Sequence, residues 1–237
     1  MVKNVLIIKN STLEGPGLIE HVLMENDICW DIIDLESGDE YPAFKKYKAV
    51  FVLGGPDSAN DKTLKIQEEL KKIGQVLDLG IPYLGICLGM QLLIKANKGK
   101  VERCSISEIG WKDLDNKYFK VSLTEEGQKD PLFSGIEGSL RVFHLHNETI
   151  RLSRSTRLLG TGSYCKNQIV NNGSKSYGIQ GHIELTKTML VDWVTYITDF
   201  KHLKKDSIVE DYFKLQSEYE KVGKRVIENF LRISKLI

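Results

Sequence analysis

Apolar residues in the first part of the chain fall in short runs: Val5 to Ile8, Ala49 to Leu53 and Tyr83 to Ile86, with a strand-like segment, Ile28 to Ile33, interrupted by Asp31. Runs of this length, bounded by turn residues, predict strands buried on both faces. Between them Leu18 to Met24 and Leu64 to Leu79 carry helix-period patterns, and Ser11 to Gly17 reads as a turn. Strands alternating with helices predict an α/β fold with a mostly parallel central sheet and helices on both faces. From Gly99 to Ile179 the pattern shortens to β-rich segments, Phe119 to Leu123, Arg141 to His146 and Thr156 to Leu159, with a short helical turn at Asp130 to Gly135. These predict further strands and small β-hairpin additions.

Beyond residue 200 the period changes once more. Apolar residues recur at Ile208, Tyr212, Leu215, Tyr219, Val222, Val226, Phe230, Ile233 and Ile237 in steps of three and four, which predicts a long amphipathic C-terminal helix. Ser207-Ile208-Val209-Glu210 reads as its capping box, and Gly223 as a place where it can bend. Its apolar stripe is expected to pack on the protein's own sheet; the alternative is a surface for self-association or for another protein. No repeat or linker divides the chain, so the expected organisation is a main domain over 1–200 with 201–237 as a helical extension of the same domain.

Two Gly-rich turns fall at the ends of predicted strands. Gly85-Ile86-Cys87-Leu88-Gly89 is a strand-to-helix elbow that lifts the Cys87 thiol above the sheet edge, at a helix N-terminus where free N–H groups and the helix dipole favour a thiolate. Gly54-Gly55-Pro56 ends the third strand on the same edge of a parallel sheet, so the backbone amides of Gly55 and Leu88 can face a developing oxyanion. A third group, Gly181-His182-Ile183-Glu184, supplies a base and an orienting carboxylate: in extended chain His182 and Glu184 lie on one side, and a cysteine nucleophile needs that pair. Each motif is weak alone. Together they describe acyl transfer.

Composition removes other classes of function. The chain has 237 residues and a formal net charge of +1 with interspersed charges, which gives no field for nucleic acid or an anionic membrane. The apolar run Val5 to Ile8 is too short for a signal segment or a membrane span, so a soluble cytoplasmic protein is expected. Cys29, Cys104 and Cys165 stand far apart from each other and from Cys87, which suggests inert buried thiols rather than a zinc site or disulfide framework. His144 and His146 share a face of a predicted strand, but no acidic or cysteine ligands cluster near them in sequence, so neither metal nor cofactor is expected. Trp30, Trp111 and Trp193 read as packing residues, and Lys204-Lys205 as a solvated flank.

The three motifs, in this order, resemble the class I (triad) glutamine amidotransferases. Glu108-Ile109-Gly110-Trp111, Val142 to Thr149 and Asn167-Gln168 are most similar to the branch containing the glutaminase domain of GMP synthase. The resemblance covers about 1–200 and implies the flavodoxin-like fold of that family. It implies Cys87 as nucleophile, His182 as general base and acid, Glu184 as its orienter, Gly55 and Leu88 as the oxyanion hole, and Gly54, Gln91 and His146 as substrate-binding positions. It implies L-glutamine as substrate, hydrolysed through a γ-glutamyl thioester to glutamate and ammonia, with a separate synthetase receiving the ammonia and homo-oligomerisation open. The glutamine α-amino and α-carboxylate groups would find partners around His146 to Glu148. The family usually has an aromatic residue and a proline where this chain has Gly181 and Ile183, which predicts a more mobile turn. Other readings are a γ-glutamyl or other amide hydrolase on the same triad, and a non-catalytic regulatory protein that binds a partner.

Overall fold

The structure, a computed structural model, describes residues 4–237. In chain order its elements are β1 (Val5–Lys9), α1 (Leu18–Glu25), β2 (Trp30–Asp34), β3 (Ala49–Val52), α2 (Leu64–Asp78), β4 (Tyr83–Ile86), α3 (Leu88–Ala96), β5 (Lys100–Gly110), β6 (Val121–Leu123), α4 (Glu125–Lys129), β7 (Ser139–Leu140), β8 (His144–Arg151), β9 (Thr156–Thr161), β10 (Ile169–Asn172), β11 (Ser176–Ile179), α5 (Lys187–Tyr196) and α6 (Lys205–Ile233). The main sheet runs β2-β1-β3-β4-β11-β10-β9-β6-β7. Its first five strands are parallel and its last four antiparallel.

The continuous apolar runs of β1, β3 and β4 are explained by burial on both faces, whereas β2, predicted to be covered in the same way, is the edge strand of the sheet and only partly buried. In β1, Val5 and Ile7 join the core formed with α1, α5 and α6, while Leu6 and Ile8 join the core formed with α2 and α3. Alternation along the strand therefore serves two cores, and no position from Val5 to Ile8 can be polar. Because the parallel strands point the same way, the turns after β1, β3, β4 and β11 open on one edge. That edge carries Asn10 to Glu14, Gly54-Gly55, Cys87 and Gln180 to Glu184.

β5 and β8 form a separate antiparallel ribbon rather than hairpins of the main sheet. Its register pairs Lys100 with Arg151 and Gly110 with His144, with an irregularity between Arg103 and Glu108. The ribbon lies over the functional edge: the Leu145 carbonyl is 3.8 Å from Cys87 Sγ.

Helix α6 packs on the protein's own sheet, with Tyr212, Tyr219, Val226, Ile227 and Phe230 buried and the Phe230 ring 5.0 Å from that of Phe51 in β3. The expected capping box is absent. The helix starts at Lys205, two residues before Ser207, so Ser207 lies inside its first turn, and its N-cap Lys204 makes no side-chain cap bond. Gly223 makes no break in the helix. A side chain there would collide with the Ile183 carbonyl oxygen, so the glycine serves close approach of α6 to the loop carrying His182.

Candidate active site

Cys87 occupies φ 53° and ψ −110°, a conformation costly for a non-glycine residue, at the N-cap of α3. Its N–H is held by the Ile179 carbonyl at 2.8 Å. The elbow needs its glycines for packing. A side chain on Gly85 would strike the backbone of Gly89, and one on Gly89 would strike the Val52 carbonyl, so only glycine lets α3 rise this steeply against β3 and β4. Gln180 Nε2 also approaches Cys87 Sγ, at 3.8 Å.

His182 and Glu184 follow β11. His182 Nδ1–H donates to Glu184 Oε1 at 2.7 Å, and the Ile183 N–H donates to Glu184 Oε2 at 2.9 Å. Both side chains are 1% exposed. Burial alone would push the imidazole down, but the charge and hydrogen bond of Glu184 and the contact with Cys87 outweigh it, and His182 lies well above the usual histidine range. The Trp193 ring stands edge-on to the imidazole, centroids 4.8 Å apart.

The turn around His182 is pinned from several sides despite Gly181. His182 and Phe143 exchange two backbone bonds, of 2.7 and 3.1 Å. Tyr219 Oη, from α6, donates to the His182 carbonyl at 3.2 Å and accepts from the Leu185 N–H at 3.0 Å. The space left by the missing Gly181 side chain is filled by Val142 and His144.

Gly55, Cys87, Leu88, Gln91 and His146 line one cleft of about 580 Å³, together with Glu14, Glu148 and the 196–199 segment. That volume is within the roughly 300–1,000 Å³ of small-molecule sites. Gly54 sits behind the cleft wall, where a side chain would collide with Glu14 Oε2 and come within 3.0 Å of His182 Cε1. Gln91 Nε2 donates to the Glu148 carbonyl at 3.2 Å and to Gln180 Oε1 at 3.4 Å. His146 faces inward: Nε2 is 3.0 Å from Glu108 Oε2 and Nδ1 is 3.1 Å from the Glu148 carbonyl oxygen.

Three residues without an assigned role in the sequence reading belong to this neighbourhood. Gln180 lies two residues before His182, so the alternation rule that paired His182 with Glu184 extends to it as well. Glu14 lay in what read as a plain turn. Its Oε2 is buried without a hydrogen-bond partner, and burial raises the carboxyl to about 7, the His182 charge opposing this only in part. Glu108 joins His144 and His146 in a buried group. Burial would raise it, but hydrogen bonding from His146, the charges of both histidines and the Cys165 N–H hold it below the usual carboxylate range. Its neighbour His144 is driven down to about 3, by burial first and then by the charge of His146. Cys104 and Cys165, 61 positions apart, bring their sulfurs to 3.7 Å beside His146.

Among the described residues no helix is long and apolar enough to cross a membrane. The family model for class-I glutamine amidotransferase matches residues 17–191. GMP synthase from Clostridium novyi is 29% identical over 177 residues, which cover 73% of this chain and 31% of that protein. A glutamine-hydrolysing GMP synthase subunit from Sulfolobus acidocaldarius is 31% identical over 150 residues, 61% of this chain and 71% of that protein. The chain thus spans about a third of the clostridial enzyme's length. A glutamine amidotransferase structure from Thermotoga maritima superposes with a TM-score of 0.86 at 26% identity, covering 99% of each chain. The match over 17–191 includes the elbow, its glycines and the His182 loop, and the fold agrees from end to end: the chain belongs to the class-I glutamine amidotransferase family.

Proposed function

We propose that this chain hydrolyses the side-chain amide of L-glutamine and delivers the ammonia to an acceptor on a separate synthetase, in the manner of a GMP synthase glutaminase subunit. The observation that carries the reading is the strained Cys87 at the N-terminus of α3, sharing a buried corner with the His182–Glu184 pair. Cys87 is the nucleophile. His182 takes the thiol proton, Cys87 Sγ attacks the amide carbon, and the oxyanion meets the N–H groups of Gly55 and Leu88. His182 then protonates the departing nitrogen, the C–N bond breaks, and ammonia leaves a γ-glutamyl thioester. Water attacks this acyl group as His182 accepts its proton, and glutamate is released with the thiol restored. Glu184 holds the imidazole and stabilises its charged form throughout.

Gly54, Gln91 and His146 shape the pocket for the substrate. His146, whose ring nitrogens face Glu108 and the Glu148 carbonyl, does so by holding β8 rather than by presenting a polar atom. Residues 201–237 belong with 1–200 in one domain, because Tyr219 of α6 holds the backbone of the catalytic loop. A separate acceptor is supported by the similarity to a protein named as a GMP synthase subunit.

The test is to incubate the purified chain with L-glutamine and measure glutamate and ammonia, alone and with candidate synthetases, with Cys87→Ala as control. An electrophilic glutamine analogue should add one equivalent of mass at Cys87. Hydrolysis of γ-glutamyl peptides but not glutamine would move the reading to a γ-glutamyl hydrolase. Absence of turnover and of labelling under all these conditions overturns it.

A further inference from the structure

We propose that Cys104, His146 and Cys165 form a binding site for a thiophilic divalent cation of zinc's class, a structural site directly behind the acyl-transfer cleft. The three donors come from distant parts of the chain: Cys104 from the irregular middle of β5, His146 from β8 and Cys165 from the loop after β9. Cys104 Sγ is 3.7 Å from Cys165 Sγ and 3.8 Å from His146 Nδ1, and all three donor atoms lie within 4.8 Å of one another. A tetrahedral ion with bonds of about 2.3 Å to sulfur and 2.0–2.1 Å to nitrogen requires edges of about 3.8 Å between sulfurs and about 3.5 Å between sulfur and nitrogen. Two of the three edges fit that figure closely. A disulfide needs about 2.05 Å between sulfurs, which is far shorter than the separation here.

The surroundings have the form that a metal-bound histidine requires. The ring nitrogen turned away from the sulfurs, His146 Nε2, is 3.0 Å from Glu108 Oε2, both side chains being 1% exposed. Ligating imidazoles usually donate their other N–H to a carboxylate, which fixes the tautomer. Glu108 is itself held, by Gln168 Nε2 at 2.6 Å and by the Cys165 N–H at 3.3 Å, so one carboxylate connects two of the three ligand-bearing segments. The buried Thr149 hydroxyl adjoins Cys165 and is a polar neighbour for a fourth, exchangeable ligand. Cys104 is half-buried and gives an entry path from solvent.

The proton balance is simple. Without metal, His146 Nδ1–H donates to the Glu148 carbonyl oxygen, and neither cysteine is in a disulfide. Binding releases the thiol protons of the two cysteines to solvent, and the Nδ1 proton that faced the Glu148 carbonyl shifts to Nε2, which frees the Nδ1 lone pair for the cation and leaves the N–H on Nε2 toward Glu108. Leu145, next to His146, sets its carbonyl against Cys87 Sγ, so the cation would lock the β5–β8 ribbon over the nucleophile without entering the reaction.

The test uses the full chain and zinc as probe. After exposure to equimolar zinc and dialysis, the wild type and a Cys29→Ser control should retain about one zinc per chain by elemental analysis. Cys104→Ser and Cys165→Ser should each lower zinc affinity at least 100-fold. Cobalt in place of zinc should give thiolate-to-cobalt charge-transfer absorption. Should the cysteine variants fail to fold, alkylation of the wild type decides the matter: zinc should protect Cys104 and Cys165 but leave Cys29 reactive. No retained zinc, retention undiminished in the Cys104→Ser/Cys165→Ser double variant, or a Cys104–Cys165 disulfide that persists in the presence of zinc would overturn the proposal.

Discussion

Two buried histidine–carboxylate pairs stand near the cleft, which only His146 of the four lines, and they are nearly alike in isolation. His182–Glu184 measures 2.7 Å and His146–Glu108 3.0 Å, and all four side chains are 1% exposed. They differ in what lies around the imidazole. His182 has Cys87, a cysteine strained at a helix N-terminus at the open end of the sheet. The second nitrogen of His146 looks at a backbone carbonyl and a relaxed thiol inside a ribbon. In the proposed reading, chemistry belongs to the first pair and architecture to the second. A buried histidine–carboxylate bond is a component whose role its other neighbours decide.

The sharpest way to break this comparison is to remove each carboxylate. Glu184→Gln should reduce glutaminase kcat by about 10²–10⁴-fold, because the imidazole loses its orienter and the partner of its charged form. Glu108→Ala should act on stability, at a cost of about 3–5 kcal/mol in chemical denaturation, since it removes the buried carboxylate partner of His146 and of the Cys165 N–H. If Glu108→Ala cost no stability and Glu184→Gln left kcat intact, the division of roles would be wrong.

Glu14 sharpens the comparison from the catalytic side. Its carboxyl is raised to about 7 by burial, so between pH 4.5 and about 7 the folded chain binds more protons than the unfolded one and stability falls as pH rises. From a shift of about 2.5 units, the loss is on the order of 3 kcal/mol. Glu14→Gln should match the wild type near pH 4 and exceed it by roughly that amount at pH 8, which urea denaturation at the two pH values would show. Glu69 is raised similarly, but it is common to both proteins and cancels in the difference. Equal differences at both pH values would mean that Glu14 is not a proton-holding group.

Smaller effects test how the catalytic loop is held. Gly223→Ala would gain up to about 1 kcal/mol of helix propensity, but its methyl group would collide with the Ile183 carbonyl, an overpacking cost of about 1–3 kcal/mol. The expected net result is a lower thermal midpoint; a rise would show that α6 yields easily. Tyr219→Phe removes the hydroxyl that bridges the His182 carbonyl and the Leu185 N–H and should cost about 1 kcal/mol, with kcat falling more than KM changes. A change in KM alone would mean that Tyr219 shapes the cleft instead of aligning the base.

What was legible in advance depended on sequence distance. The β1, β3 and β4 runs announced buried parallel strands because covering both faces leaves no polar position, and the elbow was visible because a tight strand-to-helix turn demands glycines at fixed offsets around Cys87. His182 and Glu184 were readable as a pair because two residues of extended chain put them on one side. The capping box at Ser207 misled because the helix begins two residues earlier, after Lys204, whose side chain makes no cap bond and so leaves no such local mark.

By itself, then, the sequence determined the parallel half of the sheet, the strand-to-helix elbow at Cys87 and the local His182–Glu184 pair, all of which arise from periodicity and steric demands within a few residues. Only the tertiary structure decided that α6 serves the catalytic loop through Tyr219 and Gly223, that Glu14 is buried against Gly54, and that Cys104, Glu108, His146 and Cys165 meet. Those contacts join positions 37 to 61 residues apart. They are set by how the ribbon, the loop after β9 and the last helix close over the sheet, which no local pattern encodes.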